Sequence, residues 1–239
     1  MVAAVLAGCG EDKGGEDKTP QAQPEATASE PAPDVSLPPG AQPGLDDYNG
    51  DGTPDPTCTT QDFGGGLVLR IPCEIGNANG PEEGTRLVKD SLYRLPSFEA
   101  DLTNISGSLV TGRDPAGKKV VVVVFNSDNL FATGSDKLNE SNTLDATIRL
   151  INDSFSASAI QVRGHTHATG SASANQALSE RRAETVRAYL TGHGVNSSGV
   201  TAIGFGSTRP LVEETNTDGS PSTAGRAFNR RVELAIRLP

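Results

Sequence analysis

The stretch that decides the fold covers residues 160–191 and reads IQVRGHTHATGSASANQALSERRAETVRAYLT. Its first four residues, 160–163, are mostly apolar and predict a strand that ends at Gly164. Apolar residues then recur at helical spacing and predict a helix over about 174–191; they are Leu178, Val186 and Leu190. A strand, a polar turn and a helix in this order are typical of an α/β unit.

The flanking sequence extends the same pattern in both directions. The β-branched run 120–124 predicts a buried strand, and a helix is expected over about 139–153. Residues 200–205 predict a further strand. Between 206 and 227 the chain is rich in Gly, Pro, Ser and Thr, which favours a loop, with a helical turn near Ala224. Apolar residues alternate with others over 231–238, as in a strand with one buried face. The sequence therefore predicts one α/β layer pair over roughly 120 residues.

The first third of the chain is too poor in large apolar residues to form a core of its own. Residues 10–44 consist mainly of charged residues, Pro, Gln, Ala and Ser, so we interpret them as a disordered tether. Residues 1–117 contain 19 acidic and 7 basic residues, whereas 118–239 contain 11 and 13. A clustered basic surface of the kind that binds phosphate is not indicated, which argues against nucleic acid as the partner.

An apolar run at Val2–Gly8 is too short to span a bilayer. It ends in Leu6-Ala7-Gly8-Cys9, which resembles a lipobox. We therefore expect 1–9 to be the remnant of a lipoprotein signal, with Cys9 as the lipidated residue; the alternative is a chance cysteine. The remaining pair, Cys58 and Cys73, predicts a disulfide in an exported chain, rather than two thiols. Closing this loop contributes about 3 kcal/mol in the chain-entropy description.

Residues 45–117 predict short strands and loops without a large core. Oxygen-bearing side chains alternate near the start of this region, with Gly52 at the sixth position of the loop. This is the first half of a calcium loop, and it resembles thrombospondin type 3 repeat-like loops. The candidate calcium ligands are Asp47, Asn49, Asp51, Thr53 and Asp55. Since Cys58 stands where an EF-hand has its Glu, a solvated Asp/Gly turn is the alternative.

Three groups of residues carry a family resemblance, in fixed register: Gly164–Ser171, the stretch 175–186, and Gly225-Arg226-Ala227-Phe228-Asn229-Arg230-Arg231-Val232-Glu233. Together they resemble the OmpA-like peptidoglycan-binding family over residues 118–239. The resemblance implies a mixed four-stranded sheet with two main helices packed on it, an α+β sandwich. It also implies non-covalent binding of the diaminopimelate in the peptidoglycan stem peptide. The site residues implied are Ser135, Thr166, His167, Asn175, Arg182 and Arg230.

Arg182 is indicated by the residues themselves as well. It lies four positions from both Leu178 and Val186, on the apolar stripe of the predicted helix. No acidic residue lies three or four positions away. A planar guanidinium in such a place suits a ligand carboxylate; the alternatives are that it extends to solvent or pairs with an acid elsewhere. Arg230 starts the buried face of the last strand and either binds ligand or ties down the preceding loop.

The sequence departs from the family at His167. The family reads Gly-His-Thr-Asp here, and that Asp receives the ligand's ammonium. A neutral imidazole still accepts a hydrogen bond but lacks the full charge. We therefore expect weaker or pH-dependent binding, or a ligand without a free ammonium.

Two classes of function follow. The first is a non-enzymatic envelope lipoprotein that joins a membrane to peptidoglycan, anchored in the outer membrane if the cell is Gram-negative and facing the periplasm or cell wall. The second is a degenerate domain that recruits another envelope protein without binding peptidoglycan. No nucleophile elbow, paired carboxylates or cofactor loop indicates an enzyme. No cofactor beyond calcium is expected.

Overall fold

The computed structural model describes residues 37–73, 85–139 and 141–239. The predicted lipidation site Cys9, and all of the predicted tether up to residue 36, lie outside this part of the chain. Seven strands are described: β1 (Thr57–Asp62), β2 (Val68–Pro72), β3 (Gly107–Arg113), β4 (Lys119–Asn126), β5 (Ser158–Gly164), β6 (Ser197–Gly204) and β7 (Arg231–Arg237). Four helices are described: α1 (Ser127–Leu130), α2 (Asn142–Ser154), α3 (Ala172–Gly192) and α4 (Thr223–Asn229). None of these helices is both long and apolar enough to cross a bilayer.

The main sheet has five strands in the order β3-β4-β7-β5-β6. Only the pair β5 and β6 is parallel, and α3 makes the crossover between them. This is the predicted mixed α/β architecture, with one strand more than the four expected. The additional strand, β3, pairs along its length with β4. It is one of the short strands expected within 45–117, but the sequence GSLVTGR, with its two glycines, did not indicate that it belongs to the C-terminal sheet. The predicted domain boundary at 118 falls between these two paired strands.

One face of the sheet packs against α2 and α3. Side chains from the strands, such as Val121, Val123 and Leu234, meet Ile148 and Val186 from the helices, and all five are nearly inaccessible. Helix α3 approaches the sheet closely because two strands end in glycine. A Cβ at Gly164 would lie 2.1 Å from the carbonyl oxygen of Ser179. This contact fixes the start of α3, and hence the polar turn before it, against the end of β5.

The opposite face of the sheet is also covered, by residues that precede 118. The β1–β2 hairpin and the segment around Leu92 and Leu95 contribute a second core. In this core Leu67 and Leu69 pack with Val120, Val122 and Val124, and these side chains are at most 4% exposed. The region 45–117 therefore completes the core of the C-terminal sheet.

Because of this cover, the expectation that β7 has only one buried face was wrong. Arg231 and Glu233 belong to the face expected to be in solvent, yet they are 2% and 0% exposed. Their charges are paired: Arg163 lies directly opposite Glu233 in the β5–β7 register. Arg163 Nε donates to Glu233 Oε2 at 2.8 Å, and Arg231 Nε donates to Oε1 at 2.7 Å. Glu233 can be buried in this alternating strand because the strand register places Arg163 opposite it as an ion-pair partner.

Candidate functional site

The turn between β5 and α3 is held by backbone and amide hydrogen bonds. The Thr166 N–H donates to the Gly206 carbonyl at 2.8 Å. Asn175, on the first turn of α3, donates from Nδ2 to the carbonyls of His167 (3.2 Å) and Thr169 (3.1 Å). Ser171 caps α3 by accepting from the Ala174 N–H. The predicted site residue Thr166 therefore lies in the turn itself. Asn175 lies on α3 and orders the turn through its amide nitrogen.

Arg182 is buried on the sheet-facing side of α3, as its place on the apolar stripe predicted. Its residue exposure is 2%. Nε donates to the carbonyl of Ser135 at 2.8 Å, and the guanidinium carbon lies 5.1 Å from the centre of the Phe131 ring. Among the described residues no carboxylate forms an ion pair with it. Burial lowers the pKa of Arg182, an effect that the negative charge of Asp128 partly offsets. The cation is therefore oriented by neutral oxygens and by an aromatic ring.

Ser135 contributes to this arrangement through its backbone. Its carbonyl receives the Arg182 hydrogen bond, while its hydroxyl accepts from the Lys137 N–H at 3.0 Å. The loop that follows α1 thus holds the guanidinium. The structure brings Ser135 and Arg182 together, as the resemblance implied, but with the serine hydroxyl engaged in its own turn.

Arg230 already has a protein partner. Its Nε lies 3.1 Å from both carboxylate oxygens of Asp128, and Nη2 lies 2.7 Å from Oδ2. Asp128 is on α1, and the Ser127 N–H also donates to the Arg230 carbonyl at 2.8 Å. These contacts join the start of β7 to α1 rather than to the loop that precedes β7, so they match neither of the two roles considered for Arg230. Asp128 was not predicted from sequence because it lies 102 residues away along the chain.

His167 has a half-buried ring whose Nδ1 is buried and has no hydrogen-bond partner among the described residues. Burial lowers the pKa of His167, and the positive charge of Arg230 lowers it further. The imidazole is therefore neutral at pH 7. The buried hydroxyl of Thr166 also has no partner within the described chain. Two adjacent polar atoms with unused hydrogen-bonding capacity indicate a place where a ligand or water completes the site.

Glu214 is a carboxylate beside this turn that the sequence did not indicate. Both of its oxygens accept from the Ala168 N–H, at 2.9 and 3.1 Å, and Oε1 also accepts from Asn229 Nδ2 at 2.9 Å. Its negative charge acts on His167 by raising the pKa against the larger effects of burial and Arg230. Glu214 lies in the loop 206–222, whose composition carries no periodicity. Only the fold places it next to His167.

The electrostatics connect these groups into one site. The charges of Arg230, Glu214 and Asp128 shift the pKa of His167. Those of Asp128 and Arg230 shift the pKa of Arg182. The charged groups around the neutral imidazole include the guanidinium groups of Arg182, Arg226 and Arg230 and the carboxylates of Asp128 and Glu214. Such an arrangement suits a zwitterion, since Arg182 is oriented but not paired with an acid, while carboxylates lie at its other side.

The candidate calcium loop is closed by hydrogen bonds of its own. Asp47 accepts from the N–H groups of Gly50 and Gly52, at 2.7 and 2.8 Å. Asp51 Oδ1 accepts from the Thr53 N–H at 2.8 Å, and Oδ2 accepts from Asn49. The buried Asp55 accepts from the backbone of Asn49 at 3.2 Å and of Tyr48. Over the described ranges there is no group of three or more His, Cys, Asp or Glu side chains placed to hold a metal ion. These contacts are those of the solvated Asp/Gly turn, so calcium binding stays a prediction.

The predicted disulfide between Cys58 and Cys73 is present and joins the two strands of the β1–β2 hairpin. The loop before the hairpin is fixed independently. Asp46 accepts two hydrogen bonds from Arg113, each 2.6 Å long. The Arg113 guanidinium lowers the pKa of Asp46. The disulfide thus stabilises the hairpin, and the Arg113 contact holds the loop before it against strand β3 of the main sheet.

A mixed sheet with helices on one face, a polar turn after β5 and a buried arginine on α3 define a small domain of the mixed α/β class. The sequence profile of the OmpA family matches residues 130–223 of the chain. The chain therefore carries an OmpA family domain.

Individual proteins show the same relationship. The chain is 30% identical to outer membrane porin F of Pseudomonas aeruginosa over 178 residues, which is 73% of the chain and 46% of the porin. It is 35% identical to the peptidoglycan-binding protein ArfA of Mycobacterium tuberculosis over 77 residues, or 32% of the chain and 22% of ArfA. Among solved structures, a MotB-like protein from Desulfovibrio vulgaris is 30% identical, with a TM-score of 0.43, covering 50% of this chain and 74% of that one. The chain spans less than half of the length of porin F and of ArfA.

Proposed function

We propose that the protein is a non-enzymatic component of the cell envelope that binds the peptidoglycan stem peptide through the turn 164–171 and Arg182. The observation that carries this proposal is the state of Arg182. It is buried, oriented by the Ser135 carbonyl and the Phe131 ring, and without a carboxylate partner in the described chain. An anionic ligand would stabilise a cation held in this way, because it would compensate the buried charge. A planar guanidinium binds a carboxylate through two parallel hydrogen bonds.

The likeness to known proteins supports the same function. ArfA is named for peptidoglycan binding, and porin F for the outer membrane. We extend both properties to this chain as a proposal, since it covers only part of each relative. In the full proposal, Cys9 is lipidated and the domain attaches the membrane to the cell wall. The predicted tether ends before residue 44, because Gln42 pairs with Thr57 in the described structure.

The diaminopimelate end of the stem peptide carries a carboxylate and an ammonium on one carbon. We assign the carboxylate to Arg182. The ammonium meets a neutral imidazole at His167 in place of the family's Asp, with Glu214 as the neighbouring carboxylate. Because charge-assisted hydrogen bonds are about twice as strong as neutral ones, we expect weaker binding than a site with Asp provides. Protonating His167 adds a positive charge beside the ammonium, so binding is expected to weaken as the pH falls.

Titration with a stem peptide that ends in diaminopimelate tests this assignment. Replacing Arg182 with Ala is expected to reduce affinity by about tenfold or more, since a hydrogen bond to a charged group contributes about 1.5–3 kcal/mol. The matched control is Arg181→Ala, because Arg181 is the next residue of α3, is exposed and pairs with Asp136 at 3.1 Å. Replacing His167 with Asp is expected to strengthen binding.

The alternative is a domain that keeps the fold and recruits another envelope protein. The Arg230–Asp128 pair favours it, because an arginine that the resemblance assigns to ligand is already neutralised. If the stem peptide fails to bind both the natural chain and His167→Asp, this alternative replaces the peptidoglycan proposal.

A further inference from the structure

A second cavity lies on the face of the sheet opposite α2 and α3. Its volume is about 280 Å³. Phe63, Leu92 and Leu211 form apolar walls, and the buried charged side chains of Arg163, Arg231 and Glu233 also line it. The cavity is at the small end of the range for ligand pockets, and apolar walls with a few polar groups are the usual composition of such pockets. It is therefore large enough for a small organic molecule.

The charges of the buried side chains that line this cavity do not sum to zero. Arg163 and Arg231 both hydrogen-bond to the single carboxylate of Glu233, and all three residues are at most 2% exposed. The remaining neighbour is His165, whose Nε2 lies 3.3 Å from Glu233 Oε1. Burial, followed by the charge of Arg231, lowers the pKa of His165 to about 4, so the ring is neutral at pH 7. The cluster thus holds two positive charges and one negative charge.

An excess charge inside a protein is unfavourable unless something compensates for it. The other charged residues that line the cavity do not compensate, because Lys89 and Arg209 are accompanied by one acid, Asp90. Arg231 also has hydrogen-bonding capacity to spare. Its Nη1 donates to the Asn229 carbonyl at a long 3.3 Å and its Nη2 donates to the Arg209 carbonyl at 2.8 Å. With the bond from Nε, three of its five N–H groups have acceptors within the described residues.

We propose that this cavity is a second ligand site, which takes a small monoanion with an apolar body, such as an aromatic or alicyclic monocarboxylate. The carboxylate approaches Arg231 and neutralises the excess charge of the cluster. The apolar body lies against Phe63, Leu92 and Leu211 and is removed from water there. A neutral molecule would leave the excess positive charge of the cluster uncompensated.

The probes are benzoate and cyclohexanecarboxylate, with benzamide as the neutral molecule of the same shape. Binding to the full chain is measured by isothermal titration and by saturation-transfer NMR. Two variants alter the site in different ways. Arg231→Met removes the excess charge of the cluster and leaves the Arg163–Glu233 pair. Val88→Trp adds a large side chain to the wall of the cavity and leaves every charge in place. The matched control, Arg181→Met, changes an exposed arginine on the other face.

We expect saturable binding of both carboxylates, at least about tenfold weaker in each site variant and unchanged in Arg181→Met. If Arg231→Met fails to fold, Val88→Trp still decides the question, since Val88 is only half-buried. The proposal is overturned if neither carboxylate saturates, if benzamide binds equally well, or if Val88→Trp binds like the natural chain. Val88→Trp is also expected to bind the stem peptide normally, which separates this site from the one at Arg182.

Discussion

Protonation of His165 is expected to make the free energy of unfolding depend on pH. The ring is fully buried and stacks on Phe205 at 5.1 Å, and neither nitrogen has a hydrogen-bond partner among the described residues. Burial lowers its pKa from 6.5 to about 4. The unfolded chain therefore takes up a proton near pH 6.5, whereas the folded chain resists protonation until about pH 4. The free energy of unfolding therefore has its full value above pH 6.5 and decreases as the pH falls toward 4.

A difference of about 2.5 pKa units corresponds to about 3 kcal/mol, of which about 2 kcal/mol is lost by about pH 5. Above that pH the carboxylate of Glu233 does not contribute. Burial alone would raise the pKa of Glu233, but the positive charges around it, including those of Arg231 and Arg163, bring it well below its usual 4.5. His167 also has a lowered pKa, so the contribution of His165 in the window between about pH 7.5 and about pH 5 is the difference between the natural chain and a variant without His165.

The variant His165→Gln removes the titrating group, and urea unfolding at several pH values across this window measures the result. The natural chain is expected to lose about 2 kcal/mol more than His165→Gln over the window. Replacing the exposed His193 with Gln is the control and is expected to keep the natural dependence. Identical pH dependence in the natural chain and His165→Gln would refute the burial argument.

Three further predictions concern the fold. Leu69→Ala is expected to cost about 2–5 kcal/mol in urea unfolding, because Leu69 is fully buried in the second core; a cost near zero would mean that the region before 118 is not part of the fold. Reducing the Cys58–Cys73 disulfide, which closes a loop with a separation of 15 residues, should lower stability by about 3 kcal/mol, and a double Ser variant should match the reduced protein. Gly164→Ala should destabilise by several kcal/mol and Gly192→Ala hardly at all, as thermal melts would show, since only the former places a Cβ against a backbone oxygen of α3.

The strands and helices around residues 160–191 were predictable because their apolar residues follow one clear period. Strand β5 and helix α3 start and end within a few residues of the predicted positions. The second core was missed for a physical reason. Arg231 and Glu233 alternate with apolar residues, as exposed positions do, and only the β5–β7 register shows that Arg163 makes their burial tolerable.

The candidate site was likewise predictable only in part. The burial of Arg182 was predictable because it lies on the apolar stripe of the helix. A ligand role was suggested because no acidic residue lies three or four positions away to pair with it. The partners of the other groups were not predictable. Asp128 reaches Arg230 across 102 residues, and Glu214 reaches Ala168 across 46. Such pairs depend on the topology of the sheet, which brings α1, α4 and the turn after β5 to one end.

The most direct test of the peptidoglycan proposal is co-sedimentation of the purified chain with sacculi that contain diaminopimelate. The natural chain and Arg181→Ala are expected to sediment with the sacculi to the same extent. Arg182→Ala, checked for correct folding by circular dichroism, is expected to stay mainly in the supernatant. Equal sedimentation of a folded Arg182→Ala and the natural chain would contradict the account, because the buried guanidinium would then have no part in holding the cell wall.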